Sequence, residues 1–192
     1  GSWCLASEVV KCSPPDNGNM DVLEIYGTDE QKEQWLKPLL AGVLTSAFAM
    51  TEPGVASSDA TNMAATAVLD GYEYVINGEK WWPSRAGDPR CKIIIFMCVT
   101  DQDPDSPRHT RHSQILVPTD AAGIETRNMM EVFGWDDAPH GQAHLTLTNE
   151  RVHKSNKIVG EGRGCEHGQC RVERGRINKC LRAVCVGERD FQ

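Results

Sequence analysis

The chain has 192 residues, and its 20 lysine and arginine residues against 27 aspartate and glutamate residues give a formal net charge of −7. This excess of acid disfavours nucleic-acid and membrane-surface binders, since both classes need clustered positive charge. The longest apolar run, Ile93 to Val99, is too short for a membrane-spanning helix, which needs about 20 residues. The eight cysteines include no Cys-x-x-Cys pair, which favours free thiols over structural zinc or a disulfide framework.

The N-terminal part of the chain predicts two helices. The segment Asn19 to Tyr26 carries apolar residues on one stripe. Thr28 and Gln31 then have the spacing of a capping box, with a hydroxyl at the N-cap and an amide three residues later. The apolar spacing that follows predicts a helix from Asp29 to Ala41, locally disturbed at Pro38.

From Leu44 to about Val152 the chain is typical of an all-β module. Asn77-Gly78 is the strongest short-range hairpin signal in this region and predicts a turn between two strands. The predicted strands are Ala64–Leu69, Tyr72–Ile76, Glu79–Trp82, Lys92–Val99, Ser113–Val117, Gly123–Arg127 and Ala143–Thr148. Beyond this module, helical spacing of apolar residues starts near Gly175 and runs to the end of the chain.

Two patterns suggest binding motifs and are better explained otherwise. The glycine run from Gly160 to Gly164 has Cys165 where the dinucleotide fingerprint needs glycine, so it favours an interdomain turn over a phosphate loop. The pairs His140/His144 and His109/His112 have zinc-like spacing. Neither pair is predicted on a helix and no cysteine completes a site, so we favour surface histidines.

Trp81-Trp82 is a candidate ligand platform. Neighbours in a strand point to opposite faces, so we expect Trp82 and Ser84 to share a partly exposed face and Trp81 to point the other way. A flat indole suits a planar ligand, and the Ser84 hydroxyl could hydrogen-bond the ring atoms of that ligand. Packing of one indole against an adjacent helix explains the pair equally well.

A strand that ends near Phe48 leads into a second candidate segment. The residues from Gly54 to Asp59 are small or polar and present backbone N–H and hydroxyl groups. Such a loop suits a polar ring edge or a phosphate, although a serine-rich turn capped by Asp59 is the simpler reading.

Three stretches of the sequence resemble the acyl-CoA dehydrogenase family. The segment from Gly27 to Leu39 is similar to the helix that precedes the flavin strand of the family. Phe48 to Asp59 resembles its first flavin motif, and Asn77 to Trp82 resembles its second. The double tryptophan, Val55 to Asn62 and Val132-Phe133-Gly134 resemble the subgroup of family members ten and eleven.

The resemblance implies an α+β fold built on the middle β-barrel domain of the family, with partial helical segments at both ends. The expected domains are the end of the N-terminal helical domain at 1–43, the β-barrel at 44–156, and a linker with the first helix of a truncated C-terminal domain at 157–192. It implies FAD as cofactor and α,β-dehydrogenation of acyl-CoA thioesters, in which a carboxylate removes the α-proton and hydride passes to flavin N5.

The resemblance also implies roles for seven residues. Those expected at the flavin are Phe48, Met50 and Thr51 at the ring edge, Trp82 flanking the ring, and Ser84 near N5. Ser58 would meet the CoA arm, and Arg176 would contact acyl-CoA. Pro83 and Arg85 depart from the second flavin motif, and Cys165 and His167 depart from the usual apolar approach to the last helix.

The catalytic base of the family would lie beyond Gln192, so we expect a fragment that is inactive alone. The whole enzyme would pass electrons to electron-transfer flavoprotein or oxygen and form homo-oligomers. The expected location is intracellular: mitochondrial or peroxisomal in a eukaryote, cytoplasmic in a bacterium. Two alternatives stay open, namely a non-catalytic β module that binds a partner protein or acyl-CoA, and a structural remnant that binds nothing.

Overall fold

The computed structural model describes residues 13–57, 59–158, 160 and 162–168, and within 177–188 it describes 177, 180, 181, 183–185, 187 and 188; the side chain of Asn128 is excepted. Two predicted ligand residues, Ser58 and Arg176, therefore lie outside the described residues. Within this part of the chain, no helix is long and apolar enough to cross a membrane.

The two predicted N-terminal helices are present. Helix α1 spans Asp16–Tyr26, and α2 begins at Asp29–Gln31. The capping box is confirmed: Thr28 Oγ1 accepts from the Gln31 N–H at 3.3 Å, and Gln31 Oε1 accepts from the Thr28 N–H at 3.1 Å.

The disturbance predicted at Pro38 is also confirmed. A π-helical turn at Lys32–Leu36 separates α2 from α3 at Lys37–Leu40. Proline lacks the N–H that a continuing α-helix would use, and a π-turn rearranges the ladder just before it.

Seven strands form one mixed sheet in the described residues, and the sheet curls into a half-barrel. The order along the sheet is β1-β4-β2-β3-β7-β6, with β5 on the free edge of β4. The strands are β1 Thr45–Ala49, β2 Thr66–Asp70, β3 Glu73–Ser84, β4 Cys91–Val99, β5 His112–Pro118, β6 Ile124–Met130 and β7 Gln142–His153. The expected middle-domain architecture is therefore confirmed.

Strand β4 is central, as its apolar composition predicts. Strands β1 and β2 lie one after the other along the same edge of β4, both parallel to it: Ala49 pairs with Phe96, and Thr66 pairs with Val99. The chain leaves the sheet after β1 and rejoins it at β2, so residues 50–65 form an excursion from one edge.

The hairpin predicted at Asn77-Gly78 is wrong. Both residues lie inside the continuous strand β3, where Asn77 pairs with Thr66 of β2 and Gly78 pairs with Leu147 of β7. A Cβ atom at Gly78 would collide with the Ala65 Cβ, so the glycine permits close approach of two backbones. The actual turn between β2 and β3 contains Gly71, at φ 66°.

The sheet buries apolar residues on both faces. Inside the barrel, Ile94, Phe96 and Cys98 of β4 join side chains from the other strands. On the outer face, Ile93 and Ile95 pack against the N-terminal helices. A strand buried on both faces needs an almost continuous apolar run, which accounts for the composition of β4.

Candidate functional site

The strand β1 directs the first predicted motif to two sides of the sheet. Ala47 and Ala49 face the barrel interior. Phe48 lies on the opposite face and packs against the cluster formed with the N-terminal helices. Met50 and Thr51 follow the end of the strand and are both half-buried.

The structure brings the first and second predicted motifs together. The Trp81 N–H donates to the Thr51 carbonyl at 3.1 Å, and Thr51 Oγ1 donates to the Trp81 carbonyl at 2.7 Å. One residue before Trp81, Lys80 Nζ donates to the Met50 carbonyl at 2.9 Å. Segments about 30 residues apart in sequence thus form one surface whose geometry is fixed by three hydrogen bonds.

The expected alternation of Trp81, Trp82 and Ser84 is wrong. In the β3–β7 ladder, Trp81 pairs with His144 and Ser84 pairs with Gln142, so β3 carries an extra residue in a bulge. Ser84 is therefore in step with Trp81 and not with Trp82. Trp82 itself has the left-handed φ of 63°. The bulge re-aims its side chain, as bulges do beside binding sites.

Several features of this surface fit a flavin ring. The Trp82 indole is 37% exposed and offers a flat apolar face. Among the described residues, the Thr51 N–H has no hydrogen-bond acceptor, so it is available to a polar ring edge. The Ser84 hydroxyl donates to Gln142 Oε1 at 2.9 Å, which leaves its oxygen as an acceptor.

Arg85 follows directly and is buried. Its guanidinium lies 3.3 Å from Asp16 Oδ2, while Asp16 Oδ1 accepts from the Ser46 N–H and hydroxyl, both at 2.8 Å. This contact ties α1 to the barrel beside the Trp82 bulge. Arg85 takes φ 67°, a left-handed conformation that favours glycine, so a buried ion pair accompanies local backbone strain.

A buried ion pair that sequence reasoning missed lies inside the barrel. Lys80 Nζ is 2.7 Å from Glu52 Oε1, and the two side chains are 0% and 4% exposed. Burial lowers the pKa of Lys80, and the negative charge of Glu52 opposes that effect. Strand alternation indicates only that Lys80 faces inward, since it falls on the same face as Tyr74 and Ile76, and it does not indicate the partner.

A cleft of about 630 Å³ lies at Asp59, between the excursion, the loop before β5 and the segment after β7. Its lining residues are Asp59, Ala60, Thr61, His109, Thr110, Gly162, Arg163, Cys165 and Glu166. Arg108 approaches Asp59 at 3.9 Å, and Arg163 pairs with Glu166 at 2.6 Å. The lining thus combines the Arg163 guanidinium, the Asp59 and Glu166 carboxylates, two threonine hydroxyl groups and the His109 ring, with Arg108 nearby at Asp59.

The glycines of the Gly160–Gly164 run serve close approach to β5. A Cβ at Gly162 would meet the Thr110 carbonyl oxygen, and a Cβ at Gly164 would meet the His112 carbonyl oxygen at 2.7 Å. The Gly162 N–H also donates to Ser113 Oγ at 3.4 Å. The run therefore packs one wall of the cleft tightly against the start of the strand.

Cys165 lies in the same cleft, with Sγ 3.6 Å from His112 Nδ1. Burial, with a smaller contribution from Asp59, raises the pKa of the Cys165 thiol, and burial lowers the pKa of His112. Both shifts favour the neutral forms, so the pair does not supply a thiolate nucleophile. Free thiols are also present at Cys91 and Cys98, where burial raises both pKa values to about 12.

The described residues contain no group of three or more histidine, cysteine, aspartate or glutamate side chains placed to hold a metal ion. His144 of the His140/His144 pair instead lies with Nε2 2.6 Å from Glu79 Oε1 on the outer face of β3 and β7. The other pair is split, because His112 is buried and His109 is exposed.

Comparison with known proteins identifies the family. The model of the acyl-CoA dehydrogenase middle domain matches residues 47–149. The chain is 49% identical to acyl-CoA dehydrogenase family member 11 of Mus musculus over 193 aligned residues, covering 100% of this chain and 25% of that protein. It is 50% identical to family member 10 of Mus musculus, covering 98% of this chain and 18% of the relative.

Solved structures of acyl-CoA dehydrogenases share the fold of this chain. The fold matches that of an acyl-CoA dehydrogenase homologue from Mycobacterium abscessus with a TM-score of 0.88 and 50% identity, covering 93% of this chain and 43% of that one. The acyl-CoA dehydrogenase of Geobacillus kaustophilus matches with a TM-score of 0.71 and 31% identity, covering 81% and 39% of the two chains. The chain spans a quarter or less of the two mouse relatives. It belongs to the acyl-CoA dehydrogenase family, whose middle domain it contains.

Proposed function

We propose that this chain forms the FAD- and acyl-CoA-binding middle part of an enzyme that dehydrogenates acyl-CoA thioesters between Cα and Cβ. The single observation that carries the proposal is the joining of the two motifs by the hydrogen bonds between Thr51 and Trp81, the residue next to the exposed Trp82. The Thr51 N–H has no acceptor among the described residues. Bound FAD would supply the acceptor for the hydride that leaves the β-carbon. We assign to the residues described here the binding and orientation of FAD and acyl-CoA, and we assign no proton abstraction to them.

At the flavin, each proposed residue has a distinct task. The Trp82 indole covers one face of the ring and excludes water from it. The Thr51 N–H donates to the polar edge of the ring, and Met50 and Phe48 fill the apolar space near that edge. The Ser84 hydroxyl, already held by Gln142, lies in step with Trp81 and meets the ring near N5.

The cleft at Asp59 is suited to the CoA arm of the substrate. Arg163 lines the cleft and Arg108 lies near it at Asp59, and each is partly exposed although paired with a carboxylate. Guanidinium groups with neighbouring hydroxyl groups are suited to phosphate oxygens. We propose that Ser58 meets the CoA arm at this cleft and that Arg176 contacts the acyl-CoA, as the resemblance implies.

The whole enzyme would transfer electrons to electron-transfer flavoprotein or oxygen and assemble from several copies. Its compartment would be mitochondrial or peroxisomal in a eukaryote and cytoplasmic in a bacterium. Membership of the acyl-CoA dehydrogenase family supports these proposals.

The test is binding of the two ligands to the 192-residue chain. FAD titration should quench tryptophan fluorescence and saturate, and CoA should bind more weakly to Arg163→Gln than to the parent chain. Arg127→Gln is the control, because Arg127 is a similarly exposed arginine paired with Glu79 away from the cleft. Saturable CoA binding without any FAD binding would instead support a non-catalytic acyl-CoA-binding module. The absence of both would leave only a structural remnant.

A further inference from the structure

The buried ion pair between Lys80 and Glu52 lies at the base of the excursion formed by residues 50–65. Strand β1 leaves the edge of β4 beside Phe96, and β2 rejoins that edge beside Val99. The pair fills the interval between these two points inside the barrel, with the Lys80 ammonium 5.0 Å from the centre of the Phe96 ring. It therefore marks the position where the excursion is anchored to the sheet.

Glu52 holds both sides of this excursion. Its carboxylate accepts from the Ala64 N–H at 2.7 Å and from the Ala65 N–H at 3.1 Å. Its backbone N–H donates to Ser57 Oγ at 3.1 Å, and its carbonyl accepts from the same hydroxyl at 3.3 Å. One residue thus closes the loop at two places, at Ser57 and where the chain returns at Ala64 and Ala65.

Lys80 links this closed loop to the strand that carries the tryptophans. The ammonium donates to the Met50 carbonyl and to the Glu52 carboxylate, at 2.9 and 2.7 Å. The next residue, Trp81, makes the two hydrogen bonds to Thr51. Any change in the distance between Lys80 and Glu52 therefore moves the proposed flavin edge relative to the proposed flavin face.

We infer that Lys80 and Glu52 are positioning residues of the ligand site, an inference that rests on the proposed function. Neither side chain is exposed, so neither contacts a ligand. Together they hold the Thr51 edge, the Trp82 face and the base of the loop at Ala64 and Ala65 in one geometry before ligands arrive. Such preorganisation raises the affinity for ligand, because binding does not have to order the loop.

The principal test uses the double variant Glu52→Leu/Lys80→Met. Removing both charges together avoids leaving one buried charge without its partner, and such apolar replacements are often tolerated. The matched control is Glu150→Leu. Glu150 is also a buried carboxylate in the same barrel, and it accepts from the Gly123 N–H at 2.6 Å, far along β7 from the excursion.

Two measurements are made, namely amide hydrogen exchange without ligand and FAD affinity. In the double variant we expect the Ala64, Ala65 and Trp81 amides to exchange at least tenfold faster while β4 stays protected, and FAD to bind at least tenfold more weakly than to Glu150→Leu. Exchange and affinity equal to those of the control would overturn the inference, because the pair would then serve stability alone.

Hydrogen exchange separates the two proposals. If the parent chain does not bind FAD, the proposed function fails, and exchange at Ala64 and Ala65 still decides whether the pair positions the loop. If the double variant does not fold, Glu52→Gln replaces it, since the amide keeps a carbonyl acceptor but loses the charge that faces Lys80. Faster exchange at the loop base is expected there too, and unchanged exchange would overturn the inference.

Discussion

The ring centroids of Trp81 and Trp82 lie 6.2 Å apart with an interplanar angle of 55°, although the residues are consecutive in one strand. Regular pleating would send the two indoles to opposite faces of the sheet. The bulge between Trp81 and Ser84 and the left-handed backbone of Trp82 bring them to the same region instead. Under the proposed function, Trp82 would contact the ligand, while Trp81 holds the surface together through its hydrogen bonds to Thr51.

Replacement of Trp82 tests this division. Trp82→Ala should weaken FAD binding about tenfold, because an aromatic contact adds about 0.5–1.5 kcal/mol beyond its buried area. The free energy of unfolding should change by less than about 1 kcal/mol, since the side chain is partly exposed. Fluorescence titration and urea unfolding measure the two quantities. Trp135→Ala, which removes an indole that is 77% exposed, should leave FAD affinity unchanged.

Gly78 is expected to be intolerant of any side chain. Gly78→Ala should lower the free energy of unfolding by about 1–3 kcal/mol, because the added Cβ collides with Ala65 of the neighbouring segment. Gly54→Ala serves as control, since no atom lies within 4 Å of a Cβ at that position. Thermal unfolding compares the two variants, and equal stability would contradict the close approach seen in β3.

Stability should fall on mild acidification because of His167. Both ring nitrogens of His167 are buried and have no hydrogen-bond partner in the part of the chain that the structure describes, and the ring lies 4.1 Å from that of Tyr26. Burial, with help from Arg163, lowers the pKa of His167 in the folded chain. The unfolded chain then binds the proton more tightly, so stability is full above about pH 6.5 and is lost as the pH falls toward the folded pKa.

Urea unfolding between pH 8 and pH 5.5 measures this loss. His167→Phe keeps a ring against Tyr26 and removes the titrating group, so its stability should depend less on pH than that of the parent. His153→Phe is the control at an exposed histidine. A parallel pH dependence of the parent and His167→Phe would show that other groups carry the effect.

The apolar residues near the end of the chain should promote self-association. The described residues between 177 and 188 are helical, as the apolar spacing predicts, and Ile177, Leu181 and Val184 are 60%, 57% and 59% exposed. Exposed apolar stripes of this kind favour association. Replacing all three by glutamine should lower the apparent mass in sedimentation experiments at high concentration. Leu69→Gln, at an exposed leucine of β2, should not.

The 192-residue chain should not dehydrogenate acyl-CoA even with excess FAD. General-base help is worth about 10²- to 10⁴-fold, and we assign no base to these residues. Anaerobic bleaching of the flavin absorbance on mixing with acyl-CoA measures the reaction, beside a chain extended past Gln192. Equal bleaching rates in the two chains would locate the base within these residues and contradict the proposed division of tasks.

Features encoded locally were predictable from the sequence. The capping box at Thr28, the disturbance of the helix at Pro38 and the buried strand around Ile95 each depend on residues a few positions apart. The hairpin at Asn77-Gly78 failed because the same dipeptide satisfies a contact with Ala65, which only the tertiary fold supplies. Local turn propensity was outweighed by strand pairing on both sides of β3.

The candidate site was predictable only in part. Resemblance indicated Thr51, Trp82 and Ser84, and the structure brings the segments that carry them together. Pleating alone misassigned the faces, because a bulge changes the phase of a strand without a clear sequence signal. The partnership of Lys80 with Glu52 depends on two segments that meet only inside the barrel, so no spacing rule could reveal it.

The route of the chain between β1 and β2 has a consequence for how new specificities could arise. Both strands dock on one edge of β4, and their pairing ends and resumes across only three residue steps, about 10 Å. The intervening loop can therefore lengthen, shorten or change composition while the hydrogen-bond ladder on either side stays intact. Where the hydrogen bonds from the Ala64 and Ala65 amides to Glu52 are retained, we expect this segment to be replaceable as a unit. Grafting the equivalent loop from a relative into this scaffold should transfer ligand preference without redesign of the barrel.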